Sequence, residues 1–442
     1  MQTPFVSPLL RKKHHCIVIG AGLAGLAAAY RLSQRGWKVD VFEAHSRLGG
    51  RVFSHHFEEA PHLVCELGGE WIGSDHAAMR RLASAFDLDL IPHQYSFFFW
   101  NGHSRSRMYR PGDWSFSQES AEEFEKFKKE FAGYTPEQWK RLDQFDWWTC
   151  LRLRGFTDDE LRRRDLMDST DFGESIRHTS AYMAASEYFE SDAYDEMDSK
   201  IVGGNERLIH ALADSIGHDC VRRNARVTGI VQRGEKVTVV LESGEKHSAD
   251  VCICTIPAPS LGEITWDPPL PAKHLDAANQ LQYARILKSA VLCQKQFWPT
   301  PDKGGFSVFT SRASDFCFDS TYRQEQGKGA ILCSYAIGEK ADDLAAEPNE
   351  TDVMNWIAED AYNAMPAANT SPCPIRIQRQ PWQRMKGIGG AYAFYRPGQW
   401  FTIRPILQQA HDRVLFAGEH LADWQGFMEG AVNTGEAAAD LL

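Results

Sequence analysis

No stretch of the 442 residues is long and apolar enough to span a membrane. The first fifteen residues, MQTPFVSPLLRKKHH, have neither the apolar core nor the small-residue cleavage site of a signal peptide. The expectation is a cytoplasmic protein with a short, proline-containing N-terminal arm. Positive charge is also scarce: 48 Lys and Arg against 59 Asp and Glu leave a net charge of -11, which argues against a nucleic-acid surface. Any long-range attraction favours cationic substrates. The ten cysteines, among them Cys16, Cys65, Cys150, Cys252, Cys254 and Cys293, are scattered through apolar runs at neither metal-ligand nor disulfide spacing. They read as reduced core residues, and no metal is expected. A chain of this length exceeds one ordinary core, so two domains are the natural division.

What is present begins at residues 16–51, CIVIGAGLAGLAAAYRLSQRGWKVDVFEAHSRLGGR. The run Cys16 to Ile19 suits a buried parallel strand, and Gly20, Gly22 and Gly25 follow at GxGxxG spacing. Gly20 permits the tight turn, Gly22 lets backbone approach a pyrophosphate, and Gly25 lets the following helix pack on the strand. That helix would present its N-terminal NH groups to the phosphates without help from a lysine. A second strand, residues 38–42, ends in Glu43, where a carboxylate would accept hydrogen bonds from a ribose diol.

The next segment, with Arg47, Gly49, Gly50 and Arg51, resembles the RxGGR signature of the flavin-containing amine oxidase superfamily. The resemblance continues along the chain. Residues 63–72, LVCELGGEWI, look like the segment whose backbone lies beside the flavin rings, with Gly68 and Gly69 allowing close approach and Glu70 and Trp71 following. Residues 202–216 resemble the glycine turn and helix that return the chain to the cofactor domain, and Val227 matches a backbone contact to the adenine end. Lys288, in the strand-like run at residues 284–298, matches a lysine that holds a water against flavin N5. Trp382 and Tyr392 match a flavin-side tryptophan and one wall of an aromatic substrate cage, with Phe427 as the other wall. Gly418, Glu419 and the NH of Met428 match contacts to the ribityl, pyrophosphate and pyrimidine portions of FAD. Family members with covalent flavin carry cysteine before the cage aromatic. This chain has Ala391, so non-covalent FAD is expected. With the sequence closing on a helix-like run at 427–442, the membrane anchor of some monoamine oxidases is not expected.

Between these motifs, residues 75–199 read as a partly helical unit, with helical periodicity at 77–86 and 121–131. The cluster Phe97, Phe98, Phe99 and Trp100 and the pair Trp147 and Trp148 read first as core. The acidic run Glu187, Glu190, Asp192, Asp195, Glu196 and Asp198 reads as a solvated face. Strands are expected at 225–231, 236–242, 250–255 and within 307–336, and a helix at 351–364.

The expected fold is α/β and α+β: a Rossmann-like FAD-binding domain from residues 14–78, 199–272 and 385–442, interleaved with a mixed-sheet and helical substrate-binding domain from 79–198 and 273–384. The resemblance implies oxidative deamination by hydride transfer to the flavin, with imine hydrolysis and peroxide release. The partners expected are a small amine or amino acid and dioxygen, with neither nucleic acid nor membrane, and a homodimer as the assembly open to the chain. Amino-acid oxidases of the family often carry a carboxylate-binding arginine just after the ELG segment. Glu70 and Trp71 stand there instead, which favours an amine without a carboxylate. An L-amino acid oxidase stays open as the alternative, with Arg396 or Arg404 supplying the clamp from another element. A flavin desaturase, a monooxygenase and a non-catalytic dinucleotide-binding protein are the remaining readings.

Overall fold

Cys16, Ile17, Val18 and Ile19 are all buried because both faces of their strand are covered. The computed structural model, which describes residues 14–110, 116–190, 198–325, 328–365 and 371–442, places this strand at the centre of a five-stranded parallel sheet. The order is Val414–Phe416, Val251–Cys254, His15–Ile19, Lys38–Phe42 and Val221–Arg222. Helix Leu23–Gln34 connects the first two strands in sequence, and its alanine-rich face packs against helices Glu206–Ile216 and Met428–Asp440. The approach is close. A Cβ on Gly25 would lie 2.0 Å from the Gly20 carbonyl oxygen, and one on Gly435 would lie 2.1 Å from that of Ala24. These contacts fix the N-terminus of the first helix over the end of the sheet.

A six-stranded sheet forms the second body of structure, in the order Pro374–Pro381, Ile286–Cys293, Ala330–Ile337, Phe316–Asp319, Gly305–Thr310 and Tyr95–Trp100. All its pairs are antiparallel except the last. Along Ile286–Cys293, side chains alternate between faces. Leu287, Val291 and Cys293 join a core with helices Gly338–Ala346 and Glu350–Asn363, while Ile286, Ala290 and Leu292 face the aromatic cluster of Phe309, Phe316, Phe318 and Tyr335. Lys288 shares the second face by parity. A four-stranded sheet, Lys246–Ala249, Lys236–Leu241, Val227–Arg233 and Thr265–Asp267, flanks the parallel one.

Five helices between Gln118 and Glu190 pack around buried Phe127, Phe131, Trp147 and Trp148. The aromatic residues at 97–99 are likewise core. Glu187 departs from the solvated face expected of it: its helix, Ala181–Glu190, buries it beside Gln425, whose amide lies 3.5 Å from its carboxylate. Residues 192–196 of that acidic run and residues 1–13 of the N-terminal arm lie outside the described residues. All ten cysteines are free thiols, eight of them buried. No described helix is long and apolar enough to cross a membrane.

Candidate active site

A cavity of about 460 Å³ gathers residues from both ends of the chain and from its middle. Gly20, Gly22, Glu43, Gly49 and Gly50 form one stretch of its wall. Gly22 is the N-cap of helix Leu23–Gln34 and, lacking a side chain, leaves the first-turn NH groups uncapped. A Cβ built on Gly22 meets nothing nearer than the Gly50 Cα at 4.0 Å, so the space in front of it belongs to the cavity. Glu43 is buried at the end of its strand and accepts the NH groups of Ala21 and His45, each at 2.8 Å. Those bonds hold its carboxylate at the mouth of the glycine turn. An uncapped helix N-terminus beside a fixed carboxylate suits a diphosphate and a diol.

Further along the wall lie Gly68, Gly69, Trp382, Gly418, Glu419 and Met428. Arg51 donates to Glu419 at 2.5 Å and to the Ala391 carbonyl at 3.1 Å. Glu419 also accepts the NH of Gly426 at 2.9 Å, which ties the strand end to the loop before the last helix. Trp382 is buried and donates its indole NH to the Leu67 carbonyl at 2.8 Å, bracing the backbone just before Gly68. The start of the last helix is held from outside the cavity: Glu429 accepts the NH groups of Ala78 and Met79 at 2.9 and 2.8 Å. Phe427 and Met428 are thereby presented to the cavity from a braced helix start.

The remaining wall is aromatic and carries the buried charges. Trp71, Phe309, Phe316, Tyr335, Tyr392 and Phe427 line it. The Tyr392 hydroxyl donates to the Thr170 carbonyl at 2.7 Å and lies 2.8 Å from that of Tyr335. Lys288 gives all three of its protons to protein: Glu70 Oε2 at 2.6 Å, the Gly68 carbonyl at 3.0 Å and the Glu66 carbonyl at 3.2 Å. Glu70 is fully buried, yet it stays ionised. Burial alone would raise its pKa, but the Lys288 charge and the hydrogen bond from His93 outweigh that and hold it at about 2. His93, desolvated by burial and repelled by the Lys200 charge, is held neutral with its pKa lowered to about 4. A carboxylate can only accept, so the neutral ring donates Nε2–H to Glu70 Oε1 at 2.6 Å.

The cavity therefore brings together Lys288, Trp382, Tyr392 and Phe427 with all but two of the residues expected to hold a dinucleotide. Gly25 packs its helix, as its place in the motif implies. Arg47 lies behind the cavity wall, donating to the carbonyls of Leu48, Val52 and Gly50, and so shapes the GGR loop. Arg396 and Arg404, considered as carboxylate clamps, are both off the cavity; Arg404 is spent on the Leu421 carbonyl and Asp423. Thr170, Asp171 and Tyr335 are lining residues that sequence patterns did not single out. For Asp171 one signal existed: an acid in the last turn of a helix sits where the macrodipole disfavours it.

The model of the flavin-containing amine oxidoreductase family matches residues 23–442. The chain belongs to that family. As a flavin amine oxidoreductase it is 27% identical to an L-amino-acid oxidase of Gloydius halys, over 96% of this chain and 88% of that one. It is 24% identical to amine oxidase [flavin-containing] B of Bos taurus, over 97% of this chain and 86% of that one. Among solved structures, a putrescine oxidase bound to putrescine superposes with a TM-score of 0.83 at 21% identity, covering 97% of this chain and 98% of that one. A cyclohexylamine oxidase from Brevibacterium oxydans gives 0.82 at 21% identity with the same coverage. At such identity these structures establish the shared fold. This flavin amine oxidoreductase has walls that suit its cofactor: the open space before Gly22, the fixed Glu43 and the glycine pair at 68–69 all fit a dinucleotide carrying a flat ring system.

Proposed function

We propose that the protein is an FAD-dependent amine oxidase that deaminates a primary amine or polyamine oxidatively, with imine hydrolysis and release of hydrogen peroxide from dioxygen. One observation carries the choice of an amine over an amino acid: the aromatic wall of the cavity holds a carboxyl, Asp171, and no uncommitted arginine. The two arginines lining the cavity, among the described residues, are Arg51 and Arg226. Arg51 is bound to Glu419, and Arg226 lies 3.7 Å from Glu263. A two-pronged grip on a substrate carboxylate needs a guanidinium free to turn its fork to the ligand.

Gly22, the first-turn NH groups and Glu43 would bind the diphosphate and ribose, Val227 and its neighbours the adenine end, and Gly68, Gly69 and the NH of Met428 the ring system. Bound flavin supplies the acceptor for the hydride equivalent leaving the carbon that bears the amine. Tyr392 and Phe427 orient that carbon, and the desolvating aromatic wall lowers the amine pKa, enriching the neutral form that reacts. The reading needs no catalytic base. Lys288 contributes a fixed positive charge under the Gly68 and Gly69 backbone. It can turn a proton to a water only by releasing the longer of its carbonyl bonds, that to Glu66. No cysteine lines the cavity and Ala391 does, which supports FAD held without a covalent bond.

Peroxide release from pairs differing only by a carboxylate tests the reading: agmatine with arginine, and tyramine with tyrosine. The amines should react and the amino acids should not; the reverse would make the protein an L-amino acid oxidase.

A further inference from the structure

Asp171 is a carboxyl beside the aromatic wall of the cavity whose chemistry the deamination step leaves unused. It sits in the last turn of helix Asp158–Phe172, next to the carbonyl that anchors Tyr392. Its carboxyl accepts the Tyr188 hydroxyl at 2.7 Å, and the Thr170 hydroxyl only at 3.5 Å. The cation nearest to it in its own helix, Arg164, is committed to Asp168 at 3.3 Å and to the ring of Phe124. No described Lys or Arg lies within ion-pair distance of Asp171, which is only partly covered and opens on the cavity. The helix dipole and Asp168 both oppose a charge at this position. Burial, reinforced by Asp168 against the Tyr188 hydrogen bond, raises its pKa to about 7 in the ligand-free protein. A carboxyl kept in such a place without a cation is relieved by a cationic ligand.

We infer that Asp171 binds the second ammonium group of an α,ω-diamine or polyamine whose other end is oxidised beside Tyr392. The inference rests on the amine-oxidase reading and adds to it a requirement for two nitrogens. One end enters the aromatic wall neutral and reacts; the other stays protonated and pairs with the carboxylate. A charge-assisted pair of this kind is worth about 10- to 100-fold in kcat/KM over a substrate ending in methyl.

The test compares 1,4-diaminobutane with butylamine and 1,6-diaminohexane with hexylamine, using the FAD-loaded wild type and Asp171→Asn. At least one diamine should exceed its matched monoamine by about tenfold or more in the wild type. In Asp171→Asn that ratio should fall to near one, chiefly through a higher KM for the diamine. A wild-type ratio of one or below for both pairs overturns the inference whatever the variant does, and so does a high ratio that survives in Asp171→Asn. If the variant does not fold, the wild-type ratios decide. Peroxide from amino acids with none from any amine would instead overturn the amine-oxidase reading beneath it.

Discussion

The Lys288 ammonium lies 2.6 Å from the Glu70 carboxylate, with both side chains sealed from solvent. The two come from a strand of the six-stranded sheet and from the glycine segment that lines the cavity, so one ion pair ties that segment to the sheet at the site. Removing one partner leaves a buried charge alone. Glu70→Gln should cost about 3–5 kcal/mol of stability. Lys288→Met should slow flavin reduction or reoxidation with FAD still bound, and unchanged turnover would remove Lys288 from the mechanism. The double variant should lose less stability than the sum of the singles, as read from denaturant unfolding.

Acid should reveal the same pair. Burial favours the neutral carboxyl, but Lys288 and His93 hold Glu70 at about 2, below its ordinary value. Between that value and the ordinary carboxylate range the unfolded chain binds the extra proton, so the pair's contribution is complete above that range. It is lost as pH falls toward 2. The acid limb of Tm against pH should therefore be shallower in Glu70→Gln than in the wild type.

Gly22 and Gly25 should separate folding from cofactor binding. A Cβ on Gly25 collides with the Gly20 carbonyl at 2.0 Å, so Gly25→Ala should destabilise the sheet and helix themselves. Gly22 has φ of -74° and open space before it, so Gly22→Val should fold and yet purify without yellow colour. A yellow Gly22→Val protein would place the diphosphate elsewhere.

The preference for diamines should depend on pH. Asp171 is opposed by Asp168, aided by Arg164 and the Tyr188 and Thr170 hydroxyls, and faces Tyr335 and Tyr392; its pKa is about 7 without ligand. Below that pH a proton must leave before the ammonium can pair. The diamine-to-monoamine ratio of kcat/KM should rise with pH through about 7 and then level. The ratio is the quantity to plot, because deprotonation of the reacting amine is common to both substrates.

How the flavin is held is tested by acid precipitation. All the yellow colour should pass into the supernatant; colour kept in the pellet would contradict non-covalent FAD.

The residues legible in the sequence are those whose role is local. Gly20, Gly22, Gly25 and Glu43 act within one strand, turn and helix, and the parity of Ile286–Cys293 sends Lys288 to the aromatic face. The residues that escaped notice depend on contacts between distant segments. Glu70 reads as a flavin neighbour, but its side chain turns to His93 and Lys288, 23 and 218 positions away. Glu429 caps a helix some 350 residues earlier. Arg396 and Arg404 are plausible clamps in a linear sequence, and only the folded loop shows Arg404 turned to Leu421 and Asp423. Asp171 becomes conspicuous once its neighbours, Arg164 above all, prove to be committed elsewhere.

The most direct measurement is anaerobic mixing of the FAD-loaded protein with cadaverine and, separately, with lysine, which differ only by the carboxylate, while the oxidised flavin absorbance is followed. The expected result is bleaching by cadaverine and an unchanged spectrum with lysine. Bleaching by lysine and not by cadaverine would contradict the amine-oxidase reading and require a carboxylate grip that Arg51 and Arg226, as they are paired here, do not offer.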